Sequence, residues 1–418
     1  MTRIIFQTVI TTSTAATLTA QEDGYIMPGV LVAFSTGMAV LGAGFNHSMT
    51  VGGAVHAVTQ GLSLGSNAMN DQGIKVNVLQ GGSVFSHNYA VNILAHDSHV
   101  VNYGLIAADY SGVVMAGMGG GGSDWINFGD VQGGIFGILR DSSTEIFRLK
   151  NFGTITGNSS FYSGGTATDE AINRGTMFGQ VVLGNGNDVH DGRGGTVTGA
   201  IFGQGNDDTF ICGLAEETVD GGGGIDTLDF SRVAAVTVSL SNDVVGTRTA
   251  EGDFYIGIEN VLGGRGNDKI TSDGSANRLD GAQGDDRIDG GIGHDTITGG
   301  LGIDTLTGAA GQDHFIFNAP AQAGDLITDF TAANGLGDIL ELNAVSFSGG
   351  LVAEALSASL LVVRADNVAQ TAAQRFIFNT IDKTLWFDAN GNLAGGLTLV
   401  CDLQQSAASL TSLDILLI

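Results

Sequence analysis

The chain has 418 residues with a formal net charge of −27, and it is 43% hydrophobic and 14% charged. This composition excludes a disordered chain and a protein that lies mainly in a membrane. The charge is −5 over residues 1–180 and −22 over the remainder. The C-terminal part therefore repels nucleic acid and anionic lipid, and it needs bound cations before it can pack.

Residues 1–23 are interpreted as an N-terminal lead. The apolar start is interrupted by Gln7 and several threonines, and Leu18 is too large for the position it would hold in a cleavage after Ala20, so we expect no cleaved signal peptide. The uncharged run from Tyr25 to Phe45 is long enough to span a membrane, but its proline, its glycines and its alternation of apolar residues favour strands.

Residues 24–182 carry a repeat in which a glycine precedes an apolar residue by two positions. The apolar members are 22–29 residues apart, which is typical of the coils of a parallel β-helix. Four of the glycines follow an Asn by two positions. Because Asn and Gly tolerate left-handed conformations, each Asn-x-Gly is expected to mark one corner of successive coils. The triplets begin at Gly53, Gly82, Gly104, Gly129, Gly153 and Gly175, and the asparagines are Asn102, Asn127, Asn151 and Asn173.

Residues 183–262 are predicted to form transitional calcium-binding coils. Glycine-rich turns here contain Asp188, the pair Asp207 and Asp208, and then Asp226. Between Phe230 and Val261 an alternating apolar pattern replaces the turns, and it is predicted to form a hairpin or a widened coil.

Residues 263–317 contain six consecutive nine-residue repeats, and the best of them fit the pattern G-G-x-G-x-D-x-U-x, in which U is a large aliphatic residue. Glycines permit a tight turn that brings carbonyl oxygens together, and the acid adds a hard anionic oxygen. Carbonyl and carboxylate oxygens are the ligands that Ca²⁺ takes. The sixth position is held by Asp268, Asn277, Asp286, Asp295, Asp304 and Asp313, and the inward-facing apolar residue is expected two positions after each.

Two repeats complete one coil, so alternate repeats stack on the same edge. Asp268, Asp286 and Asp304 are predicted to follow one side, and the other three members the opposite side. Ions are expected between stacked turns, on the order of four in this stretch. The ion beside Asn277 is expected to bind more weakly, because a neutral amide replaces a carboxylate.

These repeats resemble the RTX, or haemolysin-type, calcium-binding family, and the resemblance covers roughly residues 183–418. It implies a parallel β-roll, several bound Ca²⁺ ions, and export from a Gram-negative bacterium by the type I secretion machinery to the outside of the cell or its surface. Residues 318–418 change to amphipathic strands, which we interpret as a C-terminal cap and secretion signal region. This segment is similar to the end of serralysin-like proteases, in which an uncleaved signal ends in apolar residues.

Chemical motifs outside the repeats are weak. No zinc-protease HExxH occurs, Gly61–Gly65 matches a lipase G-x-S-x-G without its strand–turn–helix context, and residues 96–99 hold His, Asp, Ser and His on a segment expected to be extended. Residues 388–392 start like an EF-hand loop but lack its glycine and its terminal acid, so a hairpin turn is favoured. Two distant cysteines indicate that disulfides do not hold the chain together.

The sequence thus predicts an all-β parallel β-solenoid, in which an N-terminal β-helix continues into a calcium-binding parallel β-roll with a C-terminal β cap. The predicted function is that of a secreted structural, adhesive or surface-matrix component that contacts cell-surface polysaccharide or assembles with itself. The alternative is a carbohydrate-active enzyme, similar to a polysaccharide lyase or epimerase, on the N-terminal β-helix.

Overall fold

The computed structural model describes residues 2–11, 16–19, 21–42, 46–65, 71–116, 121–141, 144–213, 215–241, 246–247, 251–332, 337–347, 350–393, 395–403 and 410–418. Ala20 and residues 43–45, which figure in the leader and membrane-span interpretations above, lie outside these ranges. The chain divides into two compact units, Met1–Asp226 and Thr227–Ile418. None of the helices in the described ranges is long and apolar enough to cross a membrane.

Most coils of the N-terminal unit contribute three short strands, and strands of successive coils pair in parallel with their equivalents. Thr2–Phe6 pairs with Glu22–Ile26, so the segment interpreted as a lead already forms strands of the coil stack. The first row comprises Thr2–Phe6, Glu22–Ile26, Ser48–Val51, Lys75–Val78, His99–Asn102, Gly122–Asn127, Ile146–Asn151, Glu170–Asn173, Val189–Asp191 and Thr209–Ile211.

Two further rows complete these coils, and the two long strands Thr154–Ser163 and Thr176–Asn185 run through both of them. The second row also contains Val9–Thr11, Leu31–Phe34, Ala54–His56, Ser83–Ser86, Leu105–Ala108, Asp130–Gly133 and Thr196–Val197. The third row also contains Ala16–Leu18, Val40–Gly42, Gln60–Gly65, Tyr89–Leu94, Ser111–Met115, Phe136–Arg140, Ile201–Gly205 and Thr218–Gly223.

The predicted repeat of the N-terminal unit is confirmed by the strand register. The residue before each apolar member pairs with its counterpart one coil on, from Ala54 through Ser83 and Leu105 to Asp130 and Thr154. The apolar residues that follow are fully buried, with 0% exposure for Val55, Val84, Ile106, Val131, Ile155 and Met177. Alternation along each strand therefore sends these side chains into the core.

The Asn-x-Gly corner stacks as predicted, but for a different reason. The four glycines do not adopt positive φ; instead, a Cβ on Gly129, Gly153 or Gly175 would lie 2.1–2.2 Å from the carbonyl oxygen of the glycine one coil earlier. Glycine is required because the coils approach closely there, not because the turn is left-handed. The aromatic residues between the Asn and the Gly form an exposed stack, with ring centroids 4.8 Å apart for Tyr103 and Phe128.

The asparagines of this corner form a buried row in which each side-chain amide bonds to the next. Asn102 Nδ2 donates to Asn127 Oδ1 at 2.8 Å, Asn127 Nδ2 donates to Asn151 Oδ1 at 2.8 Å, and Asn151 Nδ2 donates to Asn173 Oδ1 at 2.9 Å. All four asparagines are 0% exposed. A buried polar group is tolerated when it is hydrogen-bonded, so the row fixes the register of consecutive coils.

The C-terminal unit contains a roll with two opposed rows of three- or four-residue strands. One row comprises Thr227–Asp229, Asn260–Leu262, Arg278–Asp280, Thr296–Thr298, His314–Phe317, Ile339–Leu342 and Ile415–Leu417. The other comprises Thr237–Ser239, Lys269–Thr271, Arg287–Asp289, Thr305–Thr307 and Asp325–Ile327. The apolar residues of the nonapeptides face inward as predicted, with at most 1% exposure for Ile270, Leu279, Ile288, Ile297, Leu306 and Phe315.

The predicted insert and the predicted C-terminal strands are both present. Gly246–Thr247 pairs antiparallel with Glu251–Ile256, which is the hairpin expected between the turns. After the roll, Leu397–Asp402 continues the second row and is followed across the sheet by Thr384–Asp388, Phe376–Asn379 and Leu361–Arg364. The helical segments are the α-helix Ala344–Phe347 and the 3-10 helices Pro320–Gln322 and Ser412–Asp414.

The ends of the two strand rows are covered differently. Ile415–Leu417 pairs in parallel with Leu340–Leu342 and buries Ile415 and Leu417. Thr384–Asp388 and Leu397–Asp402 form an antiparallel hairpin around the EF-hand-like segment, as predicted. The described residues contain no disulfide.

Candidate metal sites

One row of acids follows the strand row that begins at Thr237–Ser239. The backbone N–H of Asp268 donates to Asp286 Oδ1 at 2.6 Å, that of Asp286 donates to Asp304 Oδ1 at 2.7 Å, and that of Asp304 donates to Asp325 Oδ1 at 2.9 Å. Each carboxylate therefore bonds to the turn of the preceding coil through one oxygen. Asp325 extends the predicted row by one member.

The second row of this unit lies on the opposite edge, as the nine-residue spacing predicts. The N–H of Asn277 donates to Asp295 Oδ1 at 2.8 Å, that of Asp295 to Asp313 Oδ1 at 2.9 Å, and that of Asp313 to Asp338 Oδ1 at 3.0 Å. Asp338 therefore adds a member that the glycine pattern does not reveal.

A third row, built in the same way, belongs to the N-terminal unit. The N–H of Asp188 donates to Asp208 Oδ1 at 2.7 Å, and the N–H of Asp208 donates to Asp226 Oδ1 at 2.7 Å. Asp207, the fourth acid expected to bind metal here, is exposed, and its Oδ1 accepts from the N–H of Ile225 at 2.8 Å. Asp207 thus lies at the surface and does not belong to the row of three buried acids.

Five of the six repeats open with a glycine, which makes room for the acid five residues later. A Cβ on Gly281 would lie 2.3 Å from Asp286 Oδ2, and a Cβ on Gly299 would lie 2.3 Å from Asp304 Oδ2. Gly203, Gly263, Gly290 and Gly308 meet their own acids at 2.2–2.7 Å in the same way. The sequence keeps glycine at this position because any side chain would occupy the space in front of the second carboxylate oxygen.

That second oxygen is the most informative feature of the rows. Oδ2 is buried and has no hydrogen-bond donor in Asp188, Asp208, Asp286, Asp295, Asp304, Asp313 and Asp325. A buried carboxylate oxygen without a donor carries a desolvation cost that a folded protein ordinarily avoids. A cation at each oxygen removes the cost, and four of the seven acids lie in residues 263–316, where about four ions are expected.

Burial also raises the pKa values of carboxyl groups in these rows. Burial, reinforced by the neighbouring carboxylates of the row, raises the pKa of Asp208 and Asp286 to about 8. Burial also raises the pKa of Asp325 to about 8 and that of Asp295 to about 6. Without a cation the folded rows thus disfavour the charged form that the unfolded chain adopts at neutral pH.

Asn277 differs from every acid in its row. Its Nδ2 donates to the carbonyl oxygens of Ile258 at 3.1 Å and Glu259 at 3.2 Å, and its Oδ1 accepts from the hydroxyl of Ser272 at 2.6 Å. The Asn277 amide therefore donates hydrogen bonds to carbonyl oxygens, which an ionised carboxylate cannot do. Its side chain is already hydrogen-bonded within the protein, and its weaker contribution to metal binding stays a prediction.

Three row members were not predicted from the sequence. They are Asp325, Asp338 and Asp169, whose N–H donates to Asp188 Oδ1 at 2.6 Å. Asp325 is preceded by a single glycine, Gly324, instead of a glycine-rich turn. Residues 333–336, which precede Asp338, lie outside the described ranges. Both acids keep the second half of the repeat, because a buried apolar residue, Ile327 or Leu340, follows two positions later. An acid followed at that spacing by an apolar residue is the signal that could have identified them.

The donor set suits Ca²⁺ rather than a transition metal. In the described ranges no three His, Cys, Asp or Glu side chains converge on one point. The rows instead offer one hard carboxylate oxygen per turn among turn carbonyls, and Ca²⁺ accepts six to eight such oxygens in flexible geometry. The residues that would hold the ions are the seven acids with donor-free oxygens, and a bound ion would supply the positive charge that lets stacked carboxylates remain ionised.

One consequence concerns the second position of four of the six repeats, where φ is 64–107°: Ala282, Gly291, Gly300 and Ala309. Ala309 has φ 64°, whereas Gly291 and Gly300 hold that position in neighbouring repeats. A left-handed conformation costs an L-residue about 1–2 kcal/mol, more than the roughly 0.4–1 kcal/mol of extra chain entropy that glycine adds to the unfolded state. Ala309→Gly is therefore expected to raise the free energy of unfolding by about 0.5 kcal/mol, measured by denaturant unfolding in saturating calcium.

The adjacent Ala310 provides the matched control, because it is also exposed but does not adopt positive φ. Ala310→Gly should lower the free energy of unfolding by about 0.5–1 kcal/mol. Equal effects of the two substitutions would contradict the left-handed assignment.

The motifs that resemble catalytic sites are explained by the coils. Gly61–Gly65 lies within the single strand Gln60–Gly65, and Ser63 is buried. The expectation that residues 96–99 are extended is wrong at Asp97, which has φ 51°. The Asp97 carboxylate accepts a hydrogen bond from His96 Nδ1, and Oδ2 and Nδ1 are 2.8 Å apart. Ser98 is buried and donates to the carbonyl oxygen of Ala95, so these side chains form a polar corner.

Comparison with known proteins agrees with this geometry. The family of RTX calcium-binding nonapeptide repeats matches residues 255–288 and 289–319, with four copies. No curated protein matches the chain. The matched residues include both acid rows of the C-terminal unit from Asp268 to Asp313. Residues 255–319 of the chain thus carry RTX calcium-binding repeats.

Proposed function

We propose that this protein is a secreted, calcium-dependent structural component that acts outside the cell, and that calcium is what holds its acidic coils together. The observation that carries the proposal is the set of seven buried carboxylate oxygens that lack donors, from Asp188 to Asp325. Extracellular calcium is abundant enough to fill such sites, and calcium in the cytosol is scarce. The protein would therefore be unfolded over these coils inside the cell and rigid outside it.

Calcium stoichiometry tests the metal part of this proposal. Equilibrium dialysis of the full chain against calcium should show several bound ions per chain, about four of them in residues 263–316. Magnesium at equal concentration should bind far less, because it demands octahedral geometry and dehydrates reluctantly. Fewer than two bound calcium ions, or equal binding of both metals, would contradict the assignment.

The structural part of the proposal rests on the regular stacking of parallel coils, and imaging tests it. Electron microscopy of the purified protein with calcium should show filaments, sheets or a lattice, which disappear when EGTA is added. Pull-down with cell-surface polysaccharides tests the adhesive form of the same role. Monodisperse particles in calcium that bind no surface polymer would argue against both forms.

A carbohydrate-active enzyme is the second candidate, because charged side chains do line one accessible face of the N-terminal unit. His99 Nδ1 lies 3.9 Å from Asp124 Oδ2, and Arg148 Nη1 lies 3.8 Å from Asp124 Oδ1, on three successive coils. If this row is catalytic, the full chain should cleave or epimerise an acidic or neutral polysaccharide, and Asp124→Asn should abolish turnover. If the wild-type protein shows no turnover, the row is a solvent-exposed face on which basic and acidic side chains lie side by side.

Export is expected to be directed by residues 369–418. Deletion of this segment should retain the protein in the cell, but it also removes Ile415–Leu417, which completes a strand row of the roll. Fusion of the segment to an unrelated reporter separates the two effects. The reporter should reach the medium only in cells that contain a type I exporter, and a fusion retained in such cells would contradict this route.

A further inference from the structure

Asp169 begins the acid row of the N-terminal unit, one coil before Asp188. Its Oδ1 accepts from the N–H of Phe147 at 3.0 Å, and its own N–H donates to Asp188 Oδ1 at 2.6 Å. It is 1% exposed. Asp169 therefore occupies the same position on its coil as Asp188 and Asp208 occupy on theirs.

The second oxygen of Asp169 has donors, unlike the corresponding oxygens of Asp188 and Asp208. Arg140 Nη1 donates to Asp169 Oδ2 at 2.7 Å, and Ser163 Oγ donates to the same oxygen at 2.7 Å. The side chains of Arg140 and Asp169 are 3% and 1% exposed. This buried ion pair neutralises the carboxylate within the protein.

Arg140 reaches Asp169 from the strand row that holds the opening glycine in later coils. Arg140 pairs with Ser163 in the third strand row, and the same row later contains Gly203, whose Cβ would lie 2.2 Å from Asp208 Oδ2. The space that glycine leaves open in front of Asp208 is filled by a guanidinium in front of Asp169. In front of Asp208, a positive charge is present only if an ion binds there.

The corner is closed by side chains in the preceding coils as well. Glu145 Oε1 accepts from the N–H of Asp97 at 2.8 Å and from the hydroxyl of Ser123 at 2.9 Å. Ser123 Oγ in turn accepts from the N–H of Ser98 at 3.0 Å. These coils use hydrogen bonds where the later coils present donor-free carboxylate oxygens.

We propose that the Arg140 guanidinium takes the place of calcium at the start of this acid row, so that the coils up to residue 163 fold without metal and serve as the template for the calcium-dependent coils. The proposal rests on the proposed calcium dependence of the later coils. Because each coil contacts only its neighbours, a preformed coil removes the cost of starting the stack. Calcium would then add coils to an existing end.

Hydrogen exchange of the full chain, read by mass spectrometry, tests this inference. In EGTA, peptides of the wild-type protein between residues 71 and 163 should remain protected, and peptides between 183 and 317 should exchange rapidly. Arg140→Gln leaves the Asp169 carboxylate buried without its cation, so peptides between residues 122 and 175 should exchange at least tenfold faster in EGTA. Millimolar calcium should restore their protection.

Two further variants keep the result interpretable. Arg148→Gln removes a half-exposed arginine whose ion pair with Asp124 is long, at 3.8 Å. This variant should behave as wild type. Arg140→Gln combined with Asp169→Asn removes both charges and should restore protection in EGTA. Wild-type exchange in Arg140→Gln, or no recovery in the double variant, would overturn the role of Arg140. Protection of residues 183–317 in wild-type EGTA samples would instead overturn the proposed calcium dependence.

Discussion

Removal of calcium is expected to convert residues 183–317 from β-structure to coil. Each buried unpaired charge costs several kcal/mol, whereas a whole domain is stable by only about 5–15 kcal/mol. The six donor-free carboxylates of this segment, from Asp188 to Asp313, therefore outweigh what the short strands gain by burying one apolar residue per repeat. Circular dichroism of the full chain during a calcium titration should show a large cooperative gain of β signal.

Magnesium provides the control for ionic strength and charge screening, and it should produce little change at equal concentration. The coils up to residue 163 should keep a residual β signal in EGTA. A spectrum that is the same with EGTA and with millimolar calcium would mean that the acidic coils fold without the ion.

Replacement of Asp295 by alanine is expected to weaken calcium binding in its row about tenfold or more, which corresponds to at least about 1.4 kcal/mol. Its Oδ2 is buried without a donor, so the substitution removes a predicted calcium ligand. Asn277→Ala should change the calcium affinity much less, because the Asn277 amide already bonds to Ile258, Glu259 and Ser272. Isothermal titration calorimetry of the two variants measures the difference.

Asn277→Ala should nevertheless destabilise the calcium-saturated roll by about 1–3 kcal/mol, because it removes buried hydrogen bonds. Asp130→Ala is a suitable control, since Asp130 is an exposed acid outside the three rows. Equal loss of calcium affinity in the Asp295 and Asn277 variants would contradict the distinct roles that the two side chains have in the row.

The periodic parts of this fold were predictable because one repeat determines both where the chain turns and which side chain points inward. The apolar residue two positions after each acid gave the core, and the nine-residue spacing gave the two opposed rows. Asp188, Asp208 and Asp226 were found without a regular period because glycines still precede them. Their role as ligands stays a prediction.

Other parts depended on contacts between coils that are distant in sequence. Nothing near Arg140 in the sequence indicates that its side chain meets Asp169, which is 29 residues away. Asp207 and Asp208 are adjacent and chemically identical, and only the pleat of the turn buries one and exposes the other. The requirement for glycine at Gly129 and Gly153 arises from a carbonyl oxygen of another coil, so the local conformation could not reveal it.

The buried asparagine row has a direction. Every bond from Asn102 to Asn173 runs from the Nδ2 of one coil to the Oδ1 of the next, and Asn173 Nδ2 continues it to the carbonyl oxygen of Thr196 at 3.0 Å. The side-chain amide dipoles consequently align head to tail, as peptide dipoles do along a helix, and each polarises its neighbours. One amide cannot rotate by 180° without placing two donors or two acceptors face to face, so the row locks the orientation of all its members together.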